Sequence, residues 1–395
     1  MTNLFLILLF VFTTFFHCLC QVQEFYVKPS QTDAGYAAQD SHFVAYNATT
    51  QLNKLLLFIG GTFSSPKQYD YFCSHAAGSG FDAISLCYPN TVLTTLLAGS
   101  SDSASFDKFR QEICLGTQVS SAVSVDSLNS IYTRALKLIQ HLALTYPSQG
   151  WNQYLETPTT LDWSKIIVSG HSQGAGHACY LAKSFPAERV IMFSGPNDYS
   201  TYFNNSAPWL GQAGITPVNR HFAFLHLQDE IVPFNYQFAN ITGLGMLQSD
   251  DTTLVENTVA PYSNSHCLYS KLPPNVSGQY HGSTVIYSST PRDGNGEPVF
   301  APVWNYMLSA SVTTAISNTT FEARNFNAYP NPATSAITID FVNSDFTEVF
   351  ILNSYGQTVI SENIFAQKTQ IDLSVLPPGI YFILSNGKTV SFVKD

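Results

Sequence analysis

The stretch Lys165-Ile-Ile-Val-Ser-Gly-His-Ser-Gln-Gly-Ala-Gly-His177 decides how this chain is read. Ile166, Ile167 and Val168 form a short apolar run of the kind that a strand covered on both faces requires. Gly170-His-Ser-Gln-Gly174 breaks that run, and Gln173 to Phe185 then carries Ala175, Ala178, Cys179 and Ala182 at helical spacing. Strand, sharp turn and small-residue helix in this order make a Gly-x-Ser-x-Gly nucleophile elbow. Its serine sits at the apex of a strained turn, and its glycines let strand and helix approach closely. Ser172 is therefore the candidate nucleophile. A serine hydroxyl is too weak a nucleophile alone, so the chain must also supply a base, an orienting acid and an oxyanion hole.

Outward from the elbow, strand and helix patterns alternate. Glu24 to Val44, Lys54 to Gly60, Asp82 to Cys87, Arg189 to Phe193 and His221 to Leu225 read as strands. Helical patterns fall near Lys67 to Ala77 and over Ser124 to Tyr146, where Leu128, Ile131, Leu136, Ile139 and Leu142 recur at three to five residues. Alternation of this kind predicts an α/β fold with a mostly parallel sheet, right-handed crossovers and helices on both faces. From Asn327 onwards the texture changes to short alternating strands, among them Ala336 to Phe341, Glu348 to Leu352 and Gly379 to Leu384. That tail reads as a separate small all-β sandwich.

In an elbow of this type the acid and then the base follow the serine in the chain. Asp229 is the preferred acid, because it lies just past the strand beginning at His221, on the ligand-binding edge of an open α/β sheet. Asp198 in Ser194-Gly-Pro-Asn-Asp198 is the alternative. His281 is the preferred base and His266 the alternative, whereas His171 and His177 read as neighbours of the elbow rather than bases. The oxyanion hole needs two backbone N–H groups. Gln173 supplies one, and the loop Gly60-Gly61-Thr62 supplies the other, with Thr62 preferred and Gly61 next. The segment Asn197 to Asn219, with Trp209 and Leu210, is a candidate cap over the site.

Composition excludes several classes. A net charge of -10 with only 11% charged residues argues against a nucleic-acid surface or a polybasic membrane patch. No metal motif and no phosphate-binding loop is present, so no metal and no cofactor are expected. Residues 1–20 read as a signal peptide: the uncharged run Leu4 to Phe16 ends at Cys18-Leu19-Cys20, with small residues at the -3 and -1 positions. That run is shorter than the roughly 20 residues a spanning helix needs, and no other stretch reads as transmembrane. Beyond it lie Cys73, Cys87, Cys114, Cys179 and Cys267, an odd number, which leaves at least one thiol unpaired. Cys179 suits that role, and Cys87 with Cys114 is a plausible disulfide.

Residues from about 25 to 312 resemble an α/β-hydrolase domain, through Leu57-Phe-Ile-Gly-Gly-Thr62, Gly170-His-Ser-Gln-Gly174 and Asp229-Glu-Ile-Val-Pro233. The pattern is closer to a group of exported bacterial members without assigned activity than to true lipases. Residues from about 327 to 395 resemble the C-terminal sorting domain of the type IX secretion system of Bacteroidota. Tyr329-Pro-Asn-Pro-Ala333, Asn353-Ser-Tyr-Gly-Gln357 and Ile371-Asp-Leu-Ser374 through Gly379-Ile-Tyr-Phe382 carry that likeness. The organisation implied is a signal peptide (1–20), a hydrolase domain (21–312), a linker (313–326) and a sorting domain (327–395).

These resemblances imply a secreted or surface-displayed serine hydrolase that cleaves a carboxylic ester through a Ser-His-Asp triad and an acyl-enzyme. Its partners would be a small-molecule or polymeric ester and, through the tail, the type IX secretion machinery. Two alternatives share the same residues: a non-catalytic binding protein on a hydrolase fold, and an acyltransferase or peptidase.

Overall fold

Runs such as Leu55–Ile59 offer no polar face to water, so each must be covered on both sides. The computed structural model describes residues 22–36, 40–246, 252–310, 326–341, 347–353, 358–364, 366–385 and 388–395. The expected signal peptide, most of the expected linker and Ser354-Tyr-Gly-Gln357 lie outside the described residues. The chain divides into two compact units, Met1–Val312 and Thr313–Asp395.

In the first unit nine strands form one sheet: β1 (Val22–Val27), β2 (His42–Asn47), β3 (Leu55–Ile59), β4 (Asp82–Leu86), β5 (Ile166–His171), β6 (Arg189–Phe193), β7 (His221–His226), β8 (Thr252–Leu254) and β9 (Cys267–Ser270). Their spatial order is β1-β2-β4-β3-β5-β6-β7-β9-β8. β2 runs antiparallel to both β1 and β4, and every other pairing is parallel. The chain therefore leaves β3, β5, β6, β7 and β9 at one shared edge, where their following loops converge.

Successive strand residues point to opposite faces and enter different cores. Leu55, Leu57, Ile59, Ile166, Val168, Val190 and Met192 pack on one side, while Leu56, Phe58, Ile167, Ile191 and Phe193 pack on the other. The first side is closed by α2 (Ser105–Leu115), α3 (Ile131–Thr145) and α4 (Gln173–Ser184). The second is closed by α1 (Asp70–Gly78) and α6 (Ala301–Ser309), with Phe72, Ala76, Trp304 and Met307 fully buried. Between them in the chain, α5 (Phe234–Gly243) follows the loop after β7.

Several elements differ from their predicted limits. The expected strand from Glu24 to Val44 is two strands, β1 and β2, paired antiparallel. Pro29 begins a short helix between them and has no N–H for a ladder. The expected helix from Ser124 begins only at Ile131, because Ser130 caps it: the Thr133 N–H donates to Ser130 Oγ at 3.2 Å. Residues before the cap are held instead by Glu112, whose carboxylate accepts from the N–H groups of Val119, Ser120 and Val125. Cys87 and Cys114 are not joined in the disulfide expected of them. The Cys87 N–H donates to His42 Nδ1, and Cys114 Sγ lies 3.5 Å from His177 Nδ1.

The second unit contains two antiparallel sheets. Phe326–Tyr329, Ala336–Phe341 and Lys368–Asp372 make one; Thr347–Leu352, Thr358–Ile364, Gly379–Ser385 and Lys388–Lys394 make the other. Ile337, Ile339, Phe341 and Ile371 of the first share one apolar core with Val349, Ile351, Ile383 and Phe392 of the second.

Candidate active site

At the end of β5 the backbone reaches Ser172 with φ 57° and ψ -119°, a conformation costly for a residue with a Cβ. Surrounding contacts hold it. The Ser172 N–H donates to Phe193 O at 2.9 Å, and the turn is packed too tightly for side chains on either flank. A Cβ on Gly170 would lie 2.2 Å from Gly174 O, and one on Gly174 would lie 2.0 Å from Ile59 O. Further along α4, a Cβ on Gly176 would strike the Arg110 guanidinium at 2.3 Å.

Asp229 and His281 meet near Ser172. Asp229 follows β7 by three residues, and His281 lies in the one-turn helix Tyr280–Ser283 after β9. The His281 Nδ1 to Asp229 Oδ2 distance is 2.7 Å, and both residues are buried. Asp229 Oδ1 accepts from the N–H groups of Ile231 and Val232, each at 2.9 Å, and Oδ2 also accepts from Gln237 Nε2 at 2.8 Å. Burial alone would raise the Asp229 carboxyl. The hydrogen bond and charge of His281 and the two backbone N–H groups outweigh burial and hold it below its ordinary value.

The ring of His281 is fixed from its own backbone as well. Its N–H donates to Glu230 Oε2 at 2.9 Å, and its carbonyl accepts from Ser194 Oγ at 2.7 Å. Nε2 is buried with no hydrogen-bond partner. Ser172 and His281 line one cavity of about 300 Å³, but the bond between their reactive atoms is not formed. Ser172 Oγ instead accepts from Asn197 Nδ2 at 3.1 Å. Catalytic hydrogen bonds of empty sites are commonly long and close only on substrate.

The two expected oxyanion residues sit side by side. Gln173 is the first residue of α4, so its N–H has no acceptor within the helix. Thr62 is tied to it, its hydroxyl donating to Gln173 Oε1, and Thr62 lines the cavity with Ser172. Arg110 braces the same turn from below, its Nη1 donating to the Gln173 carbonyl at 2.6 Å. Gly61 does not serve as a donor. Its N–H is taken by the Tyr69 hydroxyl at 2.9 Å.

That bond begins a buried relay. Tyr69 Oη lies 3.1 Å from His171 Nδ1, and His171 Nε2 lies 3.0 Å from the His281 carbonyl. A carbonyl only accepts, so Nε2 carries the proton, and burial pushes the His171 imidazole down to about 3, which keeps it neutral. Nδ1 then accepts from Tyr69, and Tyr69 accepts from Gly61. The relay ties the Gly61 loop to the backbone of His281. Tyr69→Phe leaves both Gly61 N–H and His171 Nδ1 unpaired in the interior, with an expected stability loss of about 1–3 kcal/mol. Urea unfolding measures it, and a loss below about 0.5 kcal/mol would show that the relay contributes nothing.

The remaining expectations resolve differently. His266 precedes β9 and so lies at the amino edge of a parallel strand, away from the edge that holds Ser172. Its Nδ1 bonds to His221 O, and its ring stacks on Phe222 at 4.3 Å. Asp198 is not the acid. It is fully buried against Arg110, with Arg110 Nε donating to Oδ2 at 3.1 Å and Trp209 Nε1 at 2.8 Å. Trp209 and Leu210 are therefore buried anchors rather than a cap. His177 is neutral inside α4, facing Gln173 and Cys114.

Sequence reasoning missed Asn197 and Glu230. Asn197 sits beside Asp198 in the loop after β6, a loop singled out for the wrong side chain; Glu230 is the immediate neighbour of Asp229. Among the described residues no three His, Cys, Asp or Glu side chains gather as a metal cluster. None of the described helices is long and apolar enough to cross a membrane.

Comparison with known proteins decides the tail. Residues 327–395 match the family model of the secretion system C-terminal sorting domain. This domain indicates secretion through the type IX system, to the cell surface or the extracellular space. It also implies interaction with the secretion machinery. No curated protein matches the chain. Among solved structures, one match comes from work titled as structural and functional probing of PorZ, an essential bacterial surface component of the type-IX secretion system of Porphyromonas gingivalis. It is 16% identical and covers 20% of this chain and 12% of that one, with a TM-score of 0.16, so it carries no argument about fold or activity.

Proposed function

We propose that residues 22–310 are an α/β-hydrolase unit and that the exported protein is a serine carboxylic ester hydrolase. The observation that carries this reading is the Asp229–His281 pair at 2.7 Å: His281, its Nε2 without a hydrogen-bond partner, lines the same cavity as Ser172 on its strained elbow. The strand order and the mostly parallel sheet support it, because the serine, acid and base all follow strands at one edge.

In this reading Ser172 Oγ attacks the ester carbonyl while its proton passes to His281 Nε2. Asp229 holds the ring with Nδ1 protonated and stabilises the imidazolium. The N–H groups of Gln173 and Thr62 receive the developing oxyanion, and His281 returns the proton to the departing alcohol. Water, deprotonated in turn by His281, then releases the acid. Asn197 Nδ2 holds the resting hydroxyl and is displaced from its lone pair as attack begins.

A fluorophosphonate probe tests the reading, since it reacts only with an activated serine. Stoichiometric labelling of the wild-type protein, mapped to Ser172 and lost on unfolding, is the expected result. A folded protein that stays unlabelled would sink the hydrolase reading.

A further inference from the structure

Behind the loop that carries Thr62 lies a second cleft of about 500 Å³, lined by Asp40, Phe63, Ser64, Tyr88, Asn90 and Thr91 among others. Phe63 and Ser64 line this cleft and also the cavity at Ser172, so the two adjoin at these residues. Phe63 is unusual in two ways. Its φ is 57°, in the left-handed region that disfavours a side chain, and 67% of it is exposed. A large aromatic held in that conformation and left open to water is not there for the core.

The fold spends several hydrogen bonds on keeping it so. The Phe63 N–H donates to Asn90 O at 3.0 Å, and Asn90 Nδ2 donates to Gly61 O and Ser64 O, both at 2.9 Å. Tyr88 latches the same loop, its hydroxyl donating to Gly60 O at 2.7 Å. With both donors of the Asn90 amide used, its oxygen remains an acceptor. The cleft thus offers the Asp40 carboxylate and the Asn90 amide oxygen as acceptors and the Thr91 hydroxyl as donor or acceptor. Among the described residues no Lys, Arg or His lines it, so there a phosphate or carboxylate would meet only the charge of Asp40.

An aromatic face beside carboxylate, amide and hydroxyl oxygens suits a ligand with an apolar ring face and many O–H donors. We propose that this cleft binds the alcohol half of the substrate and that this half is a carbohydrate, while the acyl half occupies the cavity at Ser172. The inference rests on the ester-hydrolase reading. In the step it describes, the acyl carbon–oxygen bond breaks, the sugar oxygen takes the proton from His281 Nε2, and the acyl group stays on Ser172.

The test compares kcat/KM for 6-O-butanoylglucose and 6-O-butanoylcellobiose with that for ethyl butanoate and butanoylcholine. The wild-type ratio of sugar ester to ethyl ester is expected to be about tenfold or more, and to fall about fivefold or more in both Asp40→Asn and Phe63→Ala. A wild-type ratio at or below one, a ratio unmoved in both variants, or a preference for the choline ester would overturn the proposal. A binding measurement separates its failure from that of the catalytic reading. Saturation-transfer NMR of cellobiose with Ser172→Ala protein is expected to show contact through the sugar ring faces, lost in Ser172→Ala/Phe63→Ala. Absence of saturation transfer would overturn the sugar cleft even if simple esters are cleaved. Its presence in a protein that cleaves none would sustain the cleft and remove the hydrolase.

Discussion

Ser172→Ala and His281→Ala are each expected to lower kcat by about 10⁶-fold, and the double variant by little more, because nucleophile and base act as one unit. Either loss leaves the other with nothing to activate or nothing to deprotonate. The oxyanion donors and substrate contacts remain, so a small residual rate over water should survive. His266→Ala supplies the contrast. That ring lies at the amino edge of β9, bonded to His221 O and stacked on Phe222, so its removal should leave kcat within about twofold. An ester chain-length series on the four variants measures all of this and reports the acyl preference as well. A His281→Ala protein that keeps activity within about a hundredfold of wild type would remove His281 as the base.

Asp229→Asn is expected to cost about 10⁴-fold in kcat with little change in KM, and the geometry says why. The N–H groups of Ile231 and Val232 both donate to Oδ1, so they would hold the amide oxygen of an asparagine in that place. Its NH2 would then take the Oδ2 position and point a donor at His281 Nδ1. The ring would have to accept there and carry its proton on Nε2, leaving no lone pair for Ser172. Nitrogen NMR shifts of His281 would show the changed tautomer, and activity within about tenfold of wild type would show that Asp229 does not orient the base. The same carboxylate also links stability to pH. Its folded value lies below the ordinary one, so its contribution is complete above about pH 4 and is lost as pH falls through the folded value. At neutral pH it is an anion, as the orienting role requires.

The elbow was legible because three independent signals coincided there: an apolar run without alternation, paired glycines, and small residues at helical spacing. The close approaches at Gly170 and Gly174 are the physical content of that pattern. Chain order together with the strand from His221 led to Asp229, and chain order left two histidines, His281 preferred and His266 the alternative. The sequence preferred His281 but could not set the two histidines on opposite sides of a strand, because β9 is only four residues long. Knowing where that strand begins places His266 before it and His281 beyond its end. Asn197 was hidden for a different reason. Its role depends on Asp198 being drawn into the interior by Arg110, a residue 88 positions away. Nor could spacing show that Gly61 spends its N–H on Tyr69, since the hydroxyl arrives from a helix on the other side of the loop.

The buried cysteines among the described residues of the first unit take on meaning from where the sorting domain sends the chain. All five described thiols are buried, and burial pushes those of Cys73, Cys87, Cys114 and Cys179 above their usual range. Exchange with an oxidised partner begins from the thiolate and needs access to it, and the fully buried Cys73, Cys114 and Cys179 offer neither at neutral pH. Among the described residues, these thiols can thus pass into an oxidising exterior without being drawn into exchange on the way. Packing alone shields them from the redox conditions outside the cell.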